Sequence, residues 1–105
     1  MAQELTDADF KTTIESSDKP VLVDFWAVWC GPCRHQGMIL DKWVEANGEK
    51  VVLAKVNVDQ ASAIAAQFGI TSIPTLILFS KGNEVARAVG VQRESDLDGI
   101  MAKAE

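Results

Sequence analysis

The sequence predicts an α/β fold, with a central mixed β-sheet of four to five strands and helices on both faces. Three observations point there. Helix-like and strand-like patterns alternate through the first two thirds of the chain, which implies parallel βαβ pairing. The segments VLVDFWAVW (21–29) and VVLAKVNV (51–58) are apolar on both alternating faces, as strands covered on two sides are. Lys81-Gly82-Asn83 joins two further strand patterns into a hairpin, which adds antiparallel strands.

The elements follow in order. Gln3 to Leu5 can add an edge strand. Thr6 is spaced as a helix N-cap with Asp9 three residues on, and Leu5 and Phe10 are spaced for a hydrophobic staple. A first helix is predicted from about Asp7 to Ser16, with Phe10 and Ile14 on one face, ended by Asp18, Lys19 and Pro20. Strand 21–29 is interrupted only by Asp24. A helix then opens at the cysteines, carries Ile39, Leu40, Trp43 and Val44 at helical spacing, and stops at Asn47-Gly48. After strand 51–58, Ala61, Ile64, Ala65 and Phe68 mark a short helix capped by Gly69. TLILF (75–79) and EVARAV (84–89) form the hairpin. Leu97, Ile100 and Met101 place a last helix, weakened by Gly99.

The chain has 105 residues, enough for one domain (1–105) and too few for two. With 48% hydrophobic residues, a core forms without staples. A net charge of -5 argues against nucleic-acid binding, which wants a basic patch. There is no apolar run long enough to span a membrane. The opening MAQELTDADF lacks the basic-then-apolar pattern of a signal peptide, so a cytoplasmic protein is expected.

Residues 29–33 read WCGPC, and the chain has no other cysteine. Three readings compete. A zinc or iron–sulfur site needs about four ligands, and only Cys30, Cys33 and the single histidine, His35, are on offer. A structural disulfide here would close a very small loop and constrain little of the unfolded chain. The redox reading has a mechanism. Residues at i and i+3 on a first helical turn are neighbours at about the spacing a disulfide needs. Cys30 falls at the helix N-terminus, where free backbone N–H groups and the helix dipole favour a thiolate. Pro32 suits a first turn, where a missing N–H is harmless. Gly31 lets a partner backbone approach. Cys33, one turn in, is the more buried thiol and the natural second nucleophile.

WCGPC after the VDFWA strand resembles the thioredoxin family. The resemblance covers nearly the whole chain: VDFWAVWCGPC (23–33), AKVNVDQ (54–60), FGITSIPTLILF (68–79) and Val89-Gly90 fall in the family's order and spacing. It implies a thioredoxin fold and a protein disulfide reductase. By it, Cys30 is the nucleophile, Cys33 the resolving cysteine, and Asp24 the buried carboxylate beneath them. The residues agree, since a lone carboxylate in a two-sided apolar strand is desolvated and its pKa raised. Lys55 matches the family's lysine near that aspartate. Ile73-Pro74 resembles its cis-proline element. Trp29, Gly31, Pro32, Ile73, Pro74, Gly90 and Val91 then form an exposed, mostly apolar patch that receives the partner. Thioredoxin reductase is implied as electron donor and disulfide-containing proteins as targets. No cofactor is implied beyond the redox-active Cys30–Cys33 disulfide; the chain has no GxGxxG for NADPH. A monomer is expected, with no nucleic acid and no membrane among its partners.

The chain departs from the family at Met38, where a helix-kinking proline is usual, and a weaker or displaced kink is expected. Arg34 stands where lysine is common. His35 reads as a partly exposed helix residue, and Trp26 and Trp43 as structural. Three other readings stay open: a thiol oxidant or isomerase, a disulfide oxidoreductase dedicated to one pathway, and a binding module that uses the fold as scaffold.

Overall fold

The computed structural model describes residues 2–105. Nine elements follow in the order β1 (Gln3–Leu5), α1 (Phe10–Ser16), β2 (Val21–Trp26), α2 (Gly31–Asn47), β3 (Val52–Asn57), α3 (Ser62–Gln67), β4 (Thr75–Ser80), β5 (Asn83–Val89) and α4 (Glu94–Ala102). The sheet has five strands in the order β1-β3-β2-β4-β5. β1, β3 and β2 run parallel, while β4 and β5 are antiparallel additions. The expected edge strand at Gln3–Leu5 is therefore present.

Strand alternation sorts the core into two layers. Val21, Val23, Phe25, Ala54, Val56, Ile77 and Phe79 face α1 and α3, meeting Phe10, Ile14 and Ile64. Leu22, Leu53, Leu76 and Leu78 face α2 and α4, meeting Leu40, Trp43 and Leu97. All four phenylalanines, Phe10, Phe25, Phe68 and Phe79, gather in the first layer with ring centroids 5.3–6.4 Å apart in tilted or edge-on pairs. Asp24 follows the parity of Leu22, so it is thrown onto the α2 side of the sheet.

Local chemistry explains most boundaries, with some departures from the sequence reading. α1 begins at Phe10, after a turn over residues 7–9. Thr6 enters this turn through its backbone: its N–H donates to Asp9 Oδ1 at 2.7 Å, and its carbonyl accepts from the Phe10 N–H at 3.1 Å. The carboxylate thus satisfies the Thr6 donor, which is the half of a capping box that the acid three residues on supplies. α3 starts after Ala61, which has no side-chain acceptor, and Asp7 caps it from the α1 turn by accepting the Ile64 N–H at 3.0 Å. α3 ends as expected at Gly69, whose φ of 63° would strain any residue with a Cβ. Gly69 N–H donates to Ala66 C=O and Ile70 N–H to Ala65 C=O, a Schellman ending.

Gly48 behaves differently. Its φ is −62°, still right-handed, and α2 is closed by Asn47, whose Nδ2 donates to the Trp43 carbonyl at 2.8 Å. A side chain at Gly48 would instead crowd the Val44 carbonyl, 3.1 Å from the Cβ position. The hairpin turns on Lys81 and Gly82, both at positive φ, the geometry that matches strand twist. α4 is opened by Asp96, which accepts the Arg93 N–H at 2.9 Å, and is tied to α2 by the Trp43 Nε1 bond to Asp98 Oδ1 at 3.0 Å.

Candidate functional site

The site lies where β2 and β3 end and α2 begins. β2 carries Asp24 and stops at Trp26. A turn through Val28 and Trp29 reverses the chain, the Cys30 N–H donating to the Ala27 carbonyl at 3.2 Å. Cys30 is the N-cap of α2, with extended backbone, and Pro32 sits in the first turn. Cys30 and Cys33 form a disulfide with their Cα atoms 5.2 Å apart. The Cys33 backbone N–H points at Cys30 Sγ from 3.2 Å. That donor belongs to the helix's first turn and has no carbonyl to serve, so it is free to solvate negative charge on the outer sulfur. Ile73 C=O lies 3.9 Å from the same sulfur.

Both cysteines are covered. Cys33 is 3% exposed and Cys30 5%, so the expected contrast in burial is slight. Ala27 packs with the pair, and Trp26, Val58 and Ile73 close over it. The Ile73–Pro74 peptide is cis. Pro74 is buried and does not contribute exposed surface, because it leads directly into the interior strand β4 and its carbonyl accepts the Gly90 N–H at 2.8 Å. Ile73 and Gly90 are half-buried. Gly31, Pro32, Trp29 and Val91 are exposed, Trp29 at 69%. Its indole N–H is held by Asp59 Oδ2 at 2.9 Å, which fixes the ring beside Cys30 while leaving its faces open.

Beneath the disulfide, Asp24 is 1% exposed. Its Oδ1 has no hydrogen-bond partner among the described residues. Burial pushes its carboxyl up from 3.8 to about 7; Lys55 opposes the rise, and Glu4 and Asp41 add to it. Asp24, Cys33, Lys55 and Asp41 share one cleft of about 230 Å³, with Trp26, Arg34, Gly37 and Met38 completing its wall. Lys55 stands opposite Asp24 in the β2–β3 register. Its ammonium sits 4.1 Å from the centre of the Trp26 ring. Lys55 therefore acts on Asp24 as a nearby charge while its ammonium lies over the indole.

Sequence reasoning missed three residues. Glu4 on the edge strand accepts the Asn57 N–H at 3.0 Å and the Trp26 indole N–H at 3.4 Å, holding the ring that carries Lys55. Asp41 lies two helical turns beyond Cys33, at the cleft. Gln36 is fully buried between Cys33 and Leu40 on the inner stripe of α2. A polar residue on that stripe was the readable signal for Gln36; Glu4 and Asp41 gave none, since acidic residues on an edge strand and an outer helix face are ordinary. α2 runs as one helix through Gly37 and Met38, and Met38 is 72% exposed at the cleft's rim. His35 is exposed.

The family model named thioredoxin matches residues 1–103. The chain belongs to the thioredoxin family. It is 51% identical over 98 residues to the thioredoxin of Alicyclobacillus acidocaldarius, covering 93% of this chain and 92% of that one. It is 42% identical over 100 residues to the thioredoxin of Porphyra purpurea, covering 95% and 94%. To the thioredoxin of Haemophilus influenzae it is 45% identical over 93 residues, covering 89% and 87%. With the Cys30–Cys33 pair in place at the helix terminus, this family member is a thiol–disulfide oxidoreductase. Among the described residues no group of three His, Cys, Asp or Glu side chains is placed to hold a metal, and no helix is long and apolar enough to cross a membrane.

Proposed function

We propose that this chain reduces disulfides in other proteins, with Cys30 attacking and Cys33 resolving. In the reduced form the Cys30 thiolate attacks one sulfur of the target disulfide. That S–S bond breaks, a mixed disulfide forms on Cys30, and the first target sulfur leaves as a thiolate and takes a proton from water. Cys33 then gives its proton to the Asp24 carboxylate and attacks Cys30 Sγ. The Cys30–Cys33 bond forms and the second target thiolate leaves. Two electrons pass from the dithiol to the target, and an external two-electron donor, a thioredoxin reductase, restores the dithiol.

The observation that carries these roles is the Cys33 N–H aimed at Cys30 Sγ at 3.2 Å. It stabilises the anion on the outer sulfur and offers nothing comparable to the inner one. Asp24 supports the second step: a carboxyl titrating at about 7 is both a competent acceptor and ready to release the proton. Trp29, Gly31, Pro32, Ile73, Gly90 and Val91 surround Cys30 and receive the target as an extended segment, with Pro74 supporting them from below. Residues 1–105 work as one domain and as a monomer in the cytoplasm, with no cofactor beyond the disulfide.

Cys33→Ser tests the assignment. The variant should accumulate a mixed disulfide with oxidised insulin through Cys30, visible as a thiol-sensitive adduct by mass spectrometry, and Cys30→Ser should not. Trapping by Cys30→Ser alone would reverse the roles. A wild-type chain unable to reduce insulin, with electrons supplied by a thioredoxin reductase, would remove the reductase reading.

A further inference from the structure

The inner stripe of α2 carries an amide where hydrocarbon is the rule. Cys33, Gln36, Leu40 and Trp43 are its buried residues, and Gln36 is 0% exposed. An amide so placed is destabilising unless its donor and acceptor are both matched. Here a single residue, Gln92, matches both. The Gln92 N–H donates to Gln36 Oε1 at 2.6 Å, and Gln36 Nε2 donates to the Gln92 carbonyl at 3.1 Å. The side chain thereby clasps loop backbone as a neighbouring strand would.

The clasp continues towards the site. Gln92 Nε2 turns back to the Gly90 carbonyl at 3.1 Å. Gly90, at φ 90°, donates its N–H to the Pro74 carbonyl at 2.8 Å. One run of bonds thus joins three segments: the α2 turn beside Cys33, the loop of Gly90 and Val91, and the Ile73–Pro74 turn against Cys30 Sγ. Residues 91–93 belong to no helix or strand, so regular backbone pairing does not hold them in place.

We propose that Gln36 is a positioning residue for protein substrates: it clamps the Gly90–Gln92 backbone to the helix that bears the cysteines. It thereby fixes the height and angle of Gly90 and Val91 relative to the Cys30 sulfur. A partner segment then meets an ordered rim and spares the ordering of that loop on binding. Gln36 touches neither substrate nor sulfur in this role. The inference rests on the reductase reading above. It adds that discrimination for extended protein disulfides over small ones depends on a glutamine on the inner stripe of α2.

The test compares two disulfides. Gln36→Met keeps the length and shape of the side chain and removes both bonds. Reduced wild type and variant are mixed by stopped flow with oxidised insulin and, separately, with hydroxyethyl disulfide. The second-order rate constant of the variant with insulin should fall about tenfold, the equivalent of about 1.4 kcal/mol. Its rate constant with hydroxyethyl disulfide should stay within about twofold of wild type, because that reagent needs only the sulfurs. A variant slowed equally on both disulfides, or on neither, would overturn the proposal while leaving the reductase reading intact. A wild type inactive on insulin would strike the reductase reading instead. Hydrogen exchange needs no variant: the Gln92 amide of the wild type should exchange as slowly as the β4 amides, and exchange at the rate of an open loop would also overturn the clamp.

Discussion

Replacing Asp24 by asparagine isolates the energetic consequence of burying a carboxyl under the disulfide. Unfolded, the group titrates near 3.8; folded, it is pushed up to about 7. The folded chain therefore binds more protons than the unfolded chain between those two values, and stability falls as pH rises through that window. Below about pH 4 both states hold the proton and nothing is lost. Above about pH 7 the loss is complete. About three pH units at roughly 1.4 kcal/mol each give about 4 kcal/mol. That is a large fraction of the roughly 5–15 kcal/mol that holds a domain together. Asparagine has a similar shape and no titration, so Asp24→Asn should be more stable than wild type by under about 1 kcal/mol at pH 4, about 3 at pH 6 and about 4 from pH 8. Urea unfolding of the oxidised proteins at each pH measures this directly. A difference that stays flat across the range would mean that the carboxyl is not held protonated by burial, and its role as proton acceptor for Cys33 would go with it.

Two further outcomes follow from the same contacts. Lys55→Met removes the charge that opposes the rise, so Asp24 should titrate above about 7 when followed by carboxyl-carbon NMR; an unchanged midpoint would mean that the ammonium serves Trp26 alone. Gly99 lies inside α4 with open space at its Cβ position, so Gly99→Ala should raise stability by about 0.5–1 kcal/mol in urea unfolding, and a loss would mean that the last turn needs the freedom of glycine.

The legibility of this protein divides along the range of the interactions. Periodicity located the strands and helices, because side-chain direction repeats within one element and needs no partner. The hairpin and Gly69 could be read for a similar reason, since backbone at positive φ announces itself in residue type. Boundaries set by remote groups could not. Asp7 caps a helix 57 residues away, which leaves Ala61 looking like a poor start for α3. The stop at Asn47-Gly48 was readable, whereas the closing bond from the Asn47 side chain to the Trp43 carbonyl was seen only in the structure. Within the site, the burial of Asp24 was readable from its apolar strand, but the covered state of Cys30 and Pro74 was not, because Trp26, Val58 and the Gly90 loop close in from other segments.

By itself the sequence determined the spacing of two thiols on a helical turn, the apolar strands that bury a carboxyl near them, and the family motifs around both. Only the tertiary structure decided which distant backbone would meet each polar group: Glu4 beneath Trp26, Lys55 over its ring, and Gln36 on Gln92, 56 residues on. Propensity and periodicity act between neighbours in the chain, whereas matching a buried donor to an acceptor depends on how whole layers are packed against one another.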